Sequence, residues 1–210
     1  KSTFMKKPTL FLDFDGLKFD TISAHMEYMN ARYNIPSIIT DYANNPSLEL
    51  VVRKYITTHP ITREEAYKDL SDNFLQSLEL HEVIQPFEGM CEVVKELSKK
   101  YSLWTVTARQ KSGLHVIEHL LNKHVPECIS GIHCVSEHLG KNKYNEISKR
   151  SFIENFEGAK VAFIDDSAHE IKLVQDIIPV YLFDPLGMND HDTSITHRIR
   201  NWEEIGNIFL

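Results

Sequence analysis

Two carboxylates one residue apart close an apolar run, Leu10-Phe11-Leu12-Asp13-Phe14-Asp15-Gly16. Side chains alternate across a strand, so Asp13 and Asp15 project to the same side, and Gly16 lets the chain turn sharply away. Two acids held this way suit divided labour, one attacking an electrophile and the other moving protons. A second apolar run ends in the same manner, Val161-Ala162-Phe163-Ile164-Asp165-Asp166-Ser167. One Asp there would serve to cap a following helix, and the second is not needed for that. A third run, Leu103-Trp104-Thr105-Val106-Thr107-Ala108-Arg109, ends in a hydroxyl. The Thr107 hydroxyl and the backbone N–H of Ala108 are both suited to hydrogen-bond a phosphate oxygen. Arg109 would contact substrate or pair with a nearby acid. The basic stretch Lys141-Asn142-Lys143 lies just before a helical segment.

Brought together, Asp13, Asp15, Asp165 and Asp166 would concentrate negative charge at one edge. At ~4 Å and an effective dielectric of about 20, each like-charge pair costs on the order of 4 kcal/mol. Such a cluster persists with a cation in it, and hard oxygen ligands beside a phosphate imply magnesium. A lysine then offsets the charge of the incoming phosphate. Of the two candidates, Lys143 is preferred to Lys141, since it precedes Ile147 by four residues and shares the core-facing side of that helix. The set reads as a phosphoryl-transfer site for a small phosphorylated substrate.

The elements that must position these residues are five short apolar runs, at 9–15, 102–107, 131–136, 161–165 and 179–184. Segments of helical period separate them: Met90, Val93, Val94 and Leu97 recur at i, i+3, i+4, i+7, as do Leu114, Ile117, Leu120 and Leu121. Strands alternating with helices predict an α/β fold, a doubly wound parallel sheet covered on both faces. Open sheets of this kind bind ligands at their carboxyl edge, where the acid pairs and Thr107 fall. The alternation breaks once, between the first and second runs. There 20–34 and 62–83 read as helices, the second with Thr62 as N-cap. The domain organisation predicted is an α/β core of 5–19 and 86–210 with a helical cap, 20–85, inserted after the first strand. Tyr28, Tyr33, Arg53, Tyr55 and Phe74 in that cap are candidates for selecting substrate or for its own core.

Composition narrows the function further. The 210 residues carry a net charge of −7 with scattered cations, which argues against a nucleic-acid polymer as partner. No apolar run reaches the ~18–20 residues of a membrane span. Cys91, Cys128 and Cys134 form no C-x-x-C, which fits a reducing cytoplasm and neither a disulfide framework nor structural zinc. The segment from Met5 reads like a natural start, and the four residues before it are set aside.

The four motifs LFLDFDG, TVTAR, the lysine of GKNKY and FIDDS resemble, in order, those of the haloacid-dehalogenase-like hydrolase superfamily. The resemblance implies a Rossmannoid core, Asp13 as nucleophile forming an aspartyl-phosphate, and Asp15 as acid and base. It implies Thr107 holding the phosphate, Lys143 neutralising it, and magnesium on Asp13, the Asp15 carbonyl and Asp166, with Asp165 close by. Pro86-Phe87-Glu88-Gly89, the T-A-R and F-I-D-D-S motifs, and the tail from Arg198 to Ile205 are similar to the 5'(3')-deoxyribonucleotidase family. That implies hydrolysis of nucleoside monophosphates. Leu17-Lys18 depart from the small or apolar residues usual after the glycine, and Lys18 is expected near the cap hinge. A phosphatase of another small metabolite or a phosphomutase are the enzymatic alternatives. A dehalogenase is disfavoured, because dehalogenases of the superfamily need neither a second motif-one aspartate nor a metal. A non-catalytic binding protein is the remaining class, and no catalytic residue is missing to favour it.

Overall fold

Strands β1 (Thr9–Leu12), β2 (Ser102–Thr107), β3 (Gly131–Cys134), β4 (Lys160–Asp165), β5 (Val180–Phe183) and β6 (Arg198–Ile199) form one sheet. Their order is β3-β2-β1-β4-β5-β6, and all pairings are parallel. The computed structural model describes residues 6–34, 48–135 and 148–210. β1 lies in the middle of the sheet and is buried along its whole length. Leu10 and Leu12 enter one core and Phe11 the other, the period of two that a strand covered on both faces requires. Helices α5 (Met90–Lys100) and α6 (Leu114–His124) join the first core through Met90, Val94, Leu97, Val116, Ile117, Leu120 and Leu121. Helix α8 (Ala168–Val174) covers the opposite face through Ile171 and Val174.

Strand order reverses between β1 and β4, so the crevice outside their carboxyl ends is the topological switch point. Asp13 follows β1 directly, its N–H donating to the Ile164 carbonyl at 3.0 Å, and Asp165 is the last residue of β4. Between β1 and β2 lie the helices α1 (Thr21–Tyr33), α2 (Leu48–Thr58), α3 (Arg63–Asp69) and α4 (Leu78–Glu82). Phe19 pairs with Pro86 across the two points where this helical segment leaves and rejoins the sheet. α3 starts where the sequence predicts. Thr62 and Glu65 complete a reciprocal cap, with Glu65 N–H to Thr62 Oγ1 at 3.2 Å and Thr62 N–H to Glu65 Oε2 at 2.9 Å.

Several boundaries differ from those read off the sequence. The helix expected over 62–83 is broken: α3 passes into a wider π-type segment, Leu70–Leu75, and α4 begins afresh after Ser77, whose hydroxyl accepts from Leu80 N–H. The first strand ends at Leu12, because the chain already turns at Phe14–Phe19, and β5 spans only Val180–Phe183. β6, two residues long, gave no periodic signal and was not expected. Among the described residues no helix is long and apolar enough to cross a membrane. Cys91, Cys128 and Cys134 are unpaired.

Candidate active site

The turn after β1 is built around Gly16, at φ +69°, whose N–H donates to the Phe19 carbonyl at 2.9 Å. A Cβ on Gly16 would lie 1.9 Å from Asp166 Oδ2, so glycine is required both by the backbone and by the close approach of that carboxylate. The turn folds Lys18 back beneath the strand. Its Nζ donates to the carbonyls of Asp13 at 2.5 Å and Leu12 at 3.4 Å, fully buried, so Lys18 lies against the backbone of Asp13. Trp202, on helix α9 (Trp202–Phe209), donates Nε1–H to the Leu17 carbonyl at 2.9 Å and locks the turn from the opposite side.

Asp13 is 5% exposed. One carboxylate oxygen from each of Asp13, Asp165 and Asp166 lies within 4.8 Å of the others. Lys149, the first residue of helix α7 (Lys149–Asn155), reaches into this cluster. Its Nζ is 2.7 Å from Asp165 Oδ2 and 3.1 Å from Asp13 Oδ1. Burial works against the ammonium, but Asp13 and Asp165 outweigh it and hold its pKa well above the ordinary lysine value. Burial and the Asp165 charge push the Asp13 carboxyl up to about 7, with Lys149 opposing. Burial and then Asp165 and Asp13 drive Asp166 well above the usual carboxylate range.

These carboxyls are crowded beyond what Lys149 neutralises, which is the condition a bound cation relieves. Asp13 Oδ1 is buried and accepts no hydrogen bond of good geometry. The donors are hard oxygens, the class magnesium selects. Asp165 differs from its neighbours, since Oδ2 takes Lys149 and Oδ1 takes the Ser167 N–H at 2.8 Å. Its first task is to anchor the lysine, which leaves Asp13 and Asp166 as the carboxylates that fit the metal best.

Asp15 faces a different environment. Arg109 grips it in a fork, Nη2 to Oδ1 at 2.7 Å and Nε to Oδ2 at 2.9 Å, and the Thr21 hydroxyl donates to Oδ1 at 2.6 Å. Burial opposes the charge, yet Arg109 and Thr21 prevail and hold the carboxyl below its ordinary pKa. Of the two options for Arg109, the ion pair with an acid is the one realised. The buried Thr107 closes β2, its Oγ1 accepting the Arg109 N–H at 3.2 Å. Ala108 lies between them in the same loop.

Lys141 and Lys143 lie outside the described residues. Among the described residues the lysine on Asp13 is Lys149, which sequence reasoning passed over. The available signal was Ser148, a helix N-cap whose hydroxyl accepts from Ser151 N–H, with a lysine immediately inside the helix. In the helical segment between β1 and β2, Tyr55 and Phe74 are buried, and the Tyr28 and Tyr33 hydroxyls both donate to Asp69 at 3.2 Å. Tyr28 and Tyr33 are half-buried and pack against the same core as Tyr55 and Phe74, while Arg53 is exposed. A cleft of about 130 Å³ opens beside Asp166, lined by Gly16, Asp20, Ser23, Phe87, Phe183 and Asn189 among others.

No protein-family model matches the chain, and no curated protein sequence matches it. Solved structures do. A protein assigned as a phosphatase from Clostridium difficile superposes with a TM-score of 0.68 at 17% identity, over 98% of this chain and 99% of that one. A protein assigned as a phosphoglycolate phosphatase from Lactobacillus delbrueckii subsp. bulgaricus gives 0.64 at 13% identity, over 98% and 99%. The HAD hydrolase YfnB from Bacillus subtilis, crystallised with magnesium, gives 0.62 at 19% identity, over 97% and 99%. The chain therefore has the fold of the haloacid-dehalogenase-like hydrolases, a parallel Rossmannoid sheet with its acidic residues gathered at the switch point.

Proposed function

We propose that the chain is a magnesium-dependent phosphomonoester hydrolase with Asp13 as nucleophile, acting on nucleoside monophosphates. The observation that carries this reading is the setting of Asp13: a buried carboxylate whose Oδ1 is ion-paired to Lys149 at 3.1 Å, with two further acids within ligand distance. An Asp pair that merely capped a helix would need none of this.

In the first half-reaction an Asp13 oxygen bonds to phosphorus as the bond to the leaving oxygen breaks, and Asp15, which must first take up a proton against the pull of Arg109, passes that proton to the leaving oxygen. In the second, Asp15 takes a proton from water as the water oxygen attacks phosphorus. The bond from phosphorus to Asp13 breaks, phosphate leaves, and Asp15 is protonated for the next cycle. Lys149 and the Thr107 hydroxyl meet the phosphoryl oxygens. Bound by Asp13 and Asp166, magnesium supplies positive charge to the phosphoryl group and relieves the carboxylates.

Nucleotides are favoured by the resemblance of the motif set. Its matched outlying residues also surround the nucleophile turn: Pro86 bridges Phe19, Gly89 opens α5 at φ +77°, and Trp202 bonds Leu17. The test is phosphate release with magnesium across nucleoside monophosphates, sugar phosphates, phospho-amino acids and 2-phosphoglycolate. Nucleoside monophosphates should be turned over fastest, and Asp13→Asn should lose about three orders of magnitude or more. Full activity in that variant, or in the presence of a magnesium chelator, would sink the mechanism. A preference for 2-phosphoglycolate would sink the substrate assignment alone.

A further inference from the structure

Arg109 does more than pair with Asp15. Its remaining donors leave the core and enter the helical segment inserted between β1 and β2, Nη1 to the Leu75 carbonyl at 3.3 Å and Nη2 to His81 Nε2 at 2.9 Å. The guanidinium lies 5.0 Å from the centre of the Phe14 ring and is almost wholly buried. His81 is itself fully buried, its other ring nitrogen 2.8 Å from the Ser77 carbonyl. These partners fix the tautomer. A carbonyl only accepts, so Nδ1 carries the proton, and a guanidinium only donates, so Nε2 is bare. Phe74 packs against the ring, with centroids 4.9 Å apart.

We infer that His81 is a positioning residue: with the Leu75 carbonyl it aims the Arg109 guanidinium at Asp15, so the placement of the acid–base carboxylate depends on the cap. The break of the expected long helix acquires a purpose here. The π-type segment ends at Leu75 and α4 restarts at Leu78, which presents a carbonyl and an imidazole to one guanidinium. A planar fork with fixed donors suits a carboxylate only when its plane is held, and a flexible lysine would not transmit that constraint. A cap displaced from the core would withdraw both holds on Arg109 together. Asp15 would then keep the charge of Arg109 but lose its fixed orientation.

The kinetic part rests on the phosphatase reading, but the hydrogen-bond pattern can be tested without turnover. In the full chain labelled with ¹⁵N-histidine, His81 should show a protonated Nδ1 and a bare Nε2 at neutral pH. An Nε2–H tautomer or an imidazolium overturns the inference. In the kinetic arm, His81→Gln keeps an acceptor for Arg109 and His81→Leu removes it at similar volume. His81→Leu should lower kcat by about 10–100-fold with KM little changed, and His81→Gln should stay within about threefold of the parent. Equal activity of all three, equal impairment of both variants, or a loss confined to KM overturns it. If the parent turns over no phosphomonoester, the phosphatase reading fails and the ¹⁵N pattern decides the latch by itself.

Discussion

Lys149 bridges two carboxylates of the site with one ammonium. It is buried between Asp13 and Asp165, and breaking such a pair from one side costs about 3–5 kcal/mol, because the acids left behind have no counter-charge. Lys149→Met should therefore lower both stability, by about that amount in urea unfolding, and phosphate release, by about 100-fold or more. An intact variant would show that another lysine serves Asp13. Gly16 offers a second test at the same scale. Gly16→Ala pairs a strained φ of +69° with a Cβ 1.9 Å from Asp166 Oδ2, so Asp166 must move. Magnesium affinity by calorimetry should fall about tenfold or more, since even small ligand displacements weaken hard-ion sites.

Helix α1 makes the stability of the molecule sensitive to acid through one residue. His25, on α1, is fully buried with neither ring nitrogen hydrogen-bonded, and burial pushes its pKa down to about 3. In the unfolded chain the same group titrates near ~6.5. Between those values the unfolded state binds the extra proton, so stability falls as pH is lowered from 6.5. At pH 5 the penalty amounts to about 2 kcal/mol, and His25→Leu should remove it. The check is the change in denaturation midpoint between pH 7.5 and pH 5, which should be smaller in the variant; an unchanged difference would refute the account. This scale also separates what was legible in the sequence from what was not. β1, β2 and β4 were legible because strands buried on both faces are continuously apolar, and their terminal Asp and Thr side chains mark the carboxyl edge. β6 was not, since two residues carry no period. The break inside 62–83 was hidden for another reason: no proline or glycine stands there, and only Ser77 hinted at a new helix start. Lys149 was missed because the reading stopped at the basic stretch Lys141-Asn142-Lys143, whereas Lys149 opens α7 six residues after Lys143.

For the whole molecule, magnesium that binds only the native state must stabilise it. At about 100 times its dissociation constant the gain is ~2.7 kcal/mol, or about 5–10 °C in Tm for a chain of this size. Asp166→Asn should abolish that shift while folding normally without metal, and an unchanged shift would move the metal elsewhere. The cleft beside Asp166, about 130 Å³, is well below the roughly 300–1,000 Å³ of sites that enclose a drug-sized ligand. If the proposed nucleotide substrate binds there, the helical segment between β1 and β2 must move away from the sheet, and a cross-link between the two should raise KM for nucleotides more than for acetyl phosphate. One contact, that of Trp202 with Leu17, joins positions 185 residues apart. It sets an order of events during synthesis. The turn bearing Asp13 leaves the ribosome before Trp202 does, and the Leu17 carbonyl lacks that donor until Trp202 follows. An unmade buried bond of this kind costs about 1–3 kcal/mol. The turn that carries Asp13 is thus made 185 residues before the side chain that locks it, so a chain halted between the two holds that carboxylate in an unfinished turn.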